Sequence, residues 1–144
     1  MSVLDAANAS AEHGHAEPCE LNVSAHRDGP ATVVEVGGEI DATNSDVLGE
    51  YLRSCVCGER TLVVDMTAVE FFGVQGVFTL FEIDDQCRRA GVDWELVAGD
   101  WVGHLLRIAD RDKVLPTAES RDDAIHRIEL RGHVDWLDRL LLDY

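Results

Sequence analysis

The run Leu62-Val63-Val64 constrains this chain most. Three consecutive apolar residues, two of them β-branched, suit a strand buried on both faces. The run opens the stretch Thr61–Gly76, T-L-V-V-D-M-T-A-V-E-F-F-G-V-Q-G. Asp65 is expected to end the strand with a short polar side chain suited to a turn. Val69, Phe71 and Phe72 then carry an apolar loop inward, and Gly73 and Gly76 bracket the start of a long helix. Free N–H groups and the dipole at such a start favour an anion or the polar groups of a partner.

Around this centre the residue periodicity alternates. Glu20–His26 and Ala31–Ile40 read as strands with Asp28-Gly29-Pro30 as the turn between them, an antiparallel hairpin. Gly37-Gly38 suggests a bulge or a close backbone approach. Thr43, Asn44 or Ser45 can cap a helix to about Val56, buried through Val47, Leu48, Tyr51, Leu52 and Cys55. After Thr61–Val64 comes a helix from Val74 to Ala90, stopped by Gly91 with Arg88 and Arg89 in its last turn. Trp94–Ala98 is a strand, Trp101–Ala109 a helix capped by Asp100, and Val114-Leu115 a brief strand closed by Pro116. Ser120 and Asp123 resemble a capping box that opens a helix through Leu130, which Gly132 ends. His133–Tyr144 forms a separate amphipathic segment through Val134, Trp136, Leu137, Leu140 and Leu141. The expected fold class is α/β, with a mostly parallel central sheet and an antiparallel edge strand. Residues 1–18 read as a flexible tail, 19–131 as the folded domain and 132–144 as a C-terminal helical extension.

Charge and composition exclude some functions. A net charge of −16 argues against nucleic acid or an anionic membrane as partner. No apolar run reaches membrane-span length and no secretory signal is visible, so a cytoplasmic protein is expected. The four cysteines fit a reduced compartment better than a disulfide framework. Cys55-x-Cys57 can ligate a metal or form a redox couple, but helix-end packing is the plainer reading. Cys87 falls on a core stripe, and Cys19 borders the tail. His13 and His15 lack a third fixed ligand, so no metal or cofactor is expected. Asp41 and Asp65 both end strands where parallel-sheet proteins place sites. They can serve as acid and base or hold Mg²⁺, or they cap turns through bonds to backbone N–H groups. His104 beside Leu105 and Leu106 reads as a packed or partly exposed histidine. No catalytic triad order, phosphate loop, zinc spacing or dinucleotide fingerprint is present, so no enzyme is expected.

From Leu21 to Leu130 the chain resembles a STAS domain, the fold of bacterial anti-sigma factor antagonists. Val-Gly-Gly-Glu-Ile-Asp41 is similar to the family's strand ending in Gly-x-Leu/Ile-Asp. Leu-Val-Val-Asp65-Met-Thr-Ala-Val69-Glu-Phe71 resembles its central strand and the following loop. Gly91-Val-Asp-Trp-Glu-Leu-Val97 fits the helix-to-strand step. Asp110-Arg-Asp-Lys-Val-Leu115 with Ser120–Ile125 fits the last strand and helix. The resemblance implies a regulatory module for transcription that docks onto an anti-sigma factor with a kinase-like ATP-binding fold and so frees a sigma factor. In the family, phosphorylation of a serine in Asp-Ser-Ser/Thr-Gly at the helix start switches docking off. Here Gly73 stands at the Asp, Val74 at the phospho-acceptor Ser and Gln75 at the next residue, and Gly76 alone matches. Val74 has no hydroxyl, and Thr67 and Thr79 fall outside the acceptor position, so no phospho-acceptor is expected.

The helix Val74–Ala90 carries a second signal. Gly76, Leu80, Ile83 and Cys87 share one side, the core stripe, while Val74, Phe78 and Phe81 share nearly the opposite one. Either the C-terminal segment covers that stripe or it docks a partner or a second copy. The expected partner surface is therefore Asp41, Gly73, Val74, Gln75, Gly76, Phe78 and Phe81. Two other readings stay open: a scaffold or sensor acting through a homodimer or another protein, and a small nucleotide-binding protein built on Asp41 and Asp65.

Overall fold

A computed structural model describes residues 20–58 and 61–142, without the side chains of 57–58, 133–139 and 142. The tail to residue 18, with His13 and His15, lies outside the described residues, as do Cys19 and the side chains of Cys57, Val134, Trp136 and Leu137. The elements run β1 (Leu21–Asp28), β2 (Ala31–Ile40), α1 (Ser45–Gly58), β3 (Thr61–Phe72), α2 (Val74–Ala90), β4 (Asp93–Val97), α3 (Gly99–Ala109), β5 (Thr117–Ala118) and α4 (Arg121–Leu142). One five-stranded sheet has the order β1-β2-β3-β4-β5. β1 is antiparallel to β2, and all later pairs are parallel. The expected fold class holds.

The central apolar run is buried as its composition requires, with Leu62, Val63 and Val64 all inaccessible to solvent. Successive side chains of a strand point to opposite faces. Leu62 and Val64 join Val34, Val36 and Leu96 in the larger core, which α1, α2 and α3 cover through Leu48, Leu52, Leu80, Ile83, Val102 and Leu106. Val63 joins Ala31, Val33 and Val97 on the other face, under Ala124 and Ile128 of α4.

Four boundaries differ from expectation. β3 does not stop at Asp65 but runs on to Phe72, because β2 keeps pairing with it as far as Ile40↔Phe72. Register shifts at Glu35/Gly37 and Gly38/Glu39 fall at the expected glycine pair. Gly38 has φ 88°, and a Cβ there would lie 2.0 Å from the Glu20 carbonyl oxygen, so only glycine fits. The last strand is Thr117–Ala118, not Val114-Leu115. The Asp110 carboxylate accepts the Val114 and Leu115 N–H groups at 2.9 Å each and holds them in a loop. Asp100 lies in the first turn of α3 rather than ahead of it. Finally, α4 runs unbroken through Gly132 to Leu142, where a stop and a separate segment were expected. An exposed glycine costs a helix about 1 kcal/mol, too little to end one unless the chain turns left-handed there, and Gly132 is not among the positive-φ residues.

Gly76 is buried one turn into α2, where a Cβ would come within 2.5 Å of the Phe72 ring, itself 3% exposed. Gly76→Ala is therefore expected to destabilise the domain by about 1–3 kcal/mol through overpacking. Chemical denaturation of both proteins checks this, with the change expected in the midpoint rather than the slope.

Candidate functional site

The site is built where β2 and β3 end and α2 begins. Asp41 follows β2 directly, and its Oδ1 accepts the Thr43 N–H at 2.8 Å and the Thr43 hydroxyl at 2.5 Å. Asn44 Oδ1 accepts the Asp41 N–H at 3.0 Å, so the turn into α1 is closed from both sides. The Gly73 N–H donates to the Ile40 carbonyl at 2.9 Å and ties the start of α2 to the end of β2. Asp41 and Gly73 are thereby neighbours although 32 positions apart in number, and Val74 and Gln75 stand exposed beside them.

Val74 and Phe78, one turn apart on α2, are each 59% exposed. Among the described residues, the contacts of the C-terminal helix lie on the opposite face of the sheet, against β3, β4 and β5. The other expected members of the surface divide. Phe81 is half-buried and packs against the larger core, and Gly76 is buried, where it lets α2 close onto Phe72. Gly76, Leu80, Ile83 and Cys87 form the core stripe as read from the spacing.

Neither threonine near this start has a free hydroxyl. Thr67 donates to Asp65 Oδ1 at 2.7 Å, and Thr79, buried in α2, donates to the Gln75 carbonyl at 3.2 Å. Burial pushes the Cys87 thiol up to about 12, reinforced by the nearby Asp84 and Asp93 carboxylates, so this cysteine stays protonated and unreactive at neutral pH.

Asp65 Oδ1 accepts the Thr67 N–H at 3.0 Å, within the continuous strand β3 rather than at the expected turn, and the residue does more. Its Oδ2 accepts from Arg121 Nη2 at 2.9 Å, and the same guanidinium pairs with Glu35. Burial alone would raise the Asp65 carboxyl; the Thr67 N–H and hydroxyl and the Arg121 guanidinium outweigh it and hold the group below the ordinary carboxylate range. Its contribution to stability is thus present above the unfolded value and is lost as pH falls through the lowered folded one. Both carboxylates that end the expected strands are thus hydrogen-bonded, Asp41 to Thr43 and Asp65 to Thr67 and Arg121. No group of three or more His, Cys, Asp or Glu that could hold a metal occurs among the described residues.

A second feature is an aromatic pair. The Phe71 and Trp101 ring centroids lie 6.1 Å apart with the planes tilted by 39°. Trp101 opens α3 and Phe71 precedes Gly73, so the pair adjoins the start of α2. The sequence reading gave Trp101 no part here.

The start of α2 is thus a strand-to-helix edge that carries exposed apolar side chains. The family model described as STAS domain matches residues 22–124. The chain belongs to the STAS domain family. This STAS protein is 31% identical over 139 residues to Osmosensory protein A of Mycobacterium tuberculosis, spanning 94% of the chain and 84% of that protein. It is 29% identical over 99 residues to the anti-sigma-F factor antagonist RsfA of the same species, spanning 66% of the chain and 77% of RsfA. A crystal structure of an anti-sigma factor antagonist from Mycobacterium paratuberculosis superposes with a TM-score of 0.72 at 24% identity, covering 78% of the chain and 97% of the other, a likeness of fold. No helix among the described residues is long and apolar enough to cross a membrane.

Proposed function

We infer that this STAS protein is an anti-sigma factor antagonist that binds an anti-sigma factor with a kinase-like ATP-binding fold through the start of α2. We infer further that it is not switched by phosphorylation there. The observation that carries this reading is Val74. It stands exposed at the position where the family's motif has its phospho-acceptor serine, with exposed Phe78 one turn on. A helix start that displays two bare apolar side chains in a chain of net charge −16 keeps them for contact. Asp41, Gly73 and Gln75 supply polar groups and backbone at the edge of the same surface. Phe81 and Gly76 support it from below.

The relative named for RsfA antagonises an anti-sigma-F factor, and that class of partner is the first to try. The test is calorimetric titration of the full chain into purified anti-sigma factors of its host, each loaded with ATP or ADP. Stoichiometric binding to one of them is expected. Absence of binding to every member of the set contradicts the reading and leaves the scaffold alternative, which a sedimentation run for self-association would then address.

A further inference from the structure

We propose that Phe71 and Trp101 form a second arm of the docking face, and that this face fits a partner surface with an apolar recess ringed by lysine or arginine. The inference rests on the anti-sigma factor reading above and narrows the chemistry of the partner. Phe71 is 43% exposed and Trp101 48% exposed, yet their rings meet. The Phe71 ring also comes to 3.6 Å from where a Gly73 Cβ would sit, which sets the pair beside the residue that precedes Val74. Four bare apolar side chains from the end of β3 and the starts of two helices therefore share one end of the molecule. Aromatic groups at the centre of such patches carry a large share of binding energy.

The sequence that carries them is acidic. No lysine or arginine occurs from Asp28 to Leu52, from Thr61 to Gln86 or from Ala90 to Leu106, the three segments that build this end. The exposed carboxylates of Asp100, next to Trp101, and Glu82, one turn beyond Phe78, border the patch. An apolar patch bordered by these carboxylates, on a chain of net charge −16, selects a basic rim on its partner and disfavours an acidic one.

The anti-sigma factor that binds the unsubstituted chain in the titration serves as the probe, measured by surface plasmon resonance with Phe71→Ala, Trp101→Ala, the double variant and Trp101→Phe. Trp101→Ala and Phe71→Ala are each expected to weaken binding about tenfold or more, the double variant by less than the product of the two because the rings touch. Trp101→Phe should recover most of the loss. Raising NaCl from 50 to 500 mM should slow association with little change in dissociation. Unchanged far-ultraviolet circular dichroism and melting verify that the variants fold. Binding indifferent to both alanine substitutions overturns this inference and leaves the anti-sigma factor reading standing. Weakening without salt dependence overturns the basic rim. Failure of the unsubstituted chain to bind any anti-sigma factor overturns the earlier reading and this one together.

Discussion

Phe78→Asp is expected to weaken anti-sigma factor binding by about 30- to 1,000-fold, the range for loss of a hot-spot aromatic worth about 2–4 kcal/mol. Phe78 is 59% exposed, so the substitution removes little buried area and leaves no cavity. The folded state should keep its stability to within about 0.5 kcal/mol, as surface changes away from special features do. A carboxylate placed there forces a desolvated negative group into an apolar contact. The two readouts separate the accounts. Lost binding with unchanged melting supports docking through α2. Lost melting temperature would mean that Phe78 is covered in solution, as by the C-terminal segment.

Arg131→Leu is expected to destabilise the domain by about 3–5 kcal/mol at neutral pH, the cost of stranding a buried charge. Glu95 lies mid-strand in β4 and is 1% exposed. Its Oε2 accepts from Arg131 Nη1 at 2.6 Å, and Arg131 Nε also donates to Asp93 at 3.0 Å, so α4 is pinned to the sheet. Oε1 has no hydrogen-bond partner, and Arg127 stands 4.0 Å away, already engaged with Asp123 and the Thr117 carbonyl. Arg127 therefore does not replace Arg131.

The loss should carry a pH signature. Burial raises the Glu95 carboxyl above its ordinary value even with Arg131 opposing it. A raised carboxyl destabilises the fold while ionised, and the cost is relieved as pH falls through the raised value. Without Arg131 the group rises further. The deficit relative to the parent should therefore be largest near pH 7.5 and shrink near pH 5, although the parent itself loses the Asp65 contribution as pH falls further. Melting curves at the two pH values measure this, and Glu95→Gln in the Arg131→Leu background should restore part of the stability. An equal deficit at both values would contradict a stranded carboxylate.

Much of the fold was legible because its signals are local. The run Leu62–Val64, the turn at Asp28-Gly29-Pro30 and the Gly91 stop, with φ 71°, each encode their geometry within a few residues. The extension of β3 was not, because exposed Thr67, Ala68 and Glu70 break the apolar pattern and only the pairing with β2 keeps the strand going. The arginine links of α4 were not legible either. Arg121 and Asp65 are 56 residues apart and Arg131 and Glu95 are 36 apart, so only the fold brings them together. The charged Glu95 inside the apolar strand is the one local sign of such a link, and it was not read as one. On α2, helical spacing put Val74, Phe78 and Phe81 on one face; Val74 and Phe78 are exposed, whereas Phe81 is half-buried and packs against the core. Trp101 was passed over because its meaning comes from Phe71, 30 positions earlier.

A STAS docking surface without phospho-control should keep its dissociation constant through treatment with the kinase. The chain is incubated with its anti-sigma factor, ATP and Mg²⁺, repurified, analysed by intact mass and titrated again. The account predicts no added phosphoryl group on 61–90 and an unchanged dissociation constant. A Val74→Ser variant, which restores the missing hydroxyl, is the positive control for acceptor geometry. A phosphoryl group on Thr67 or Thr79 of the unsubstituted chain, with affinity lost in step, would contradict it.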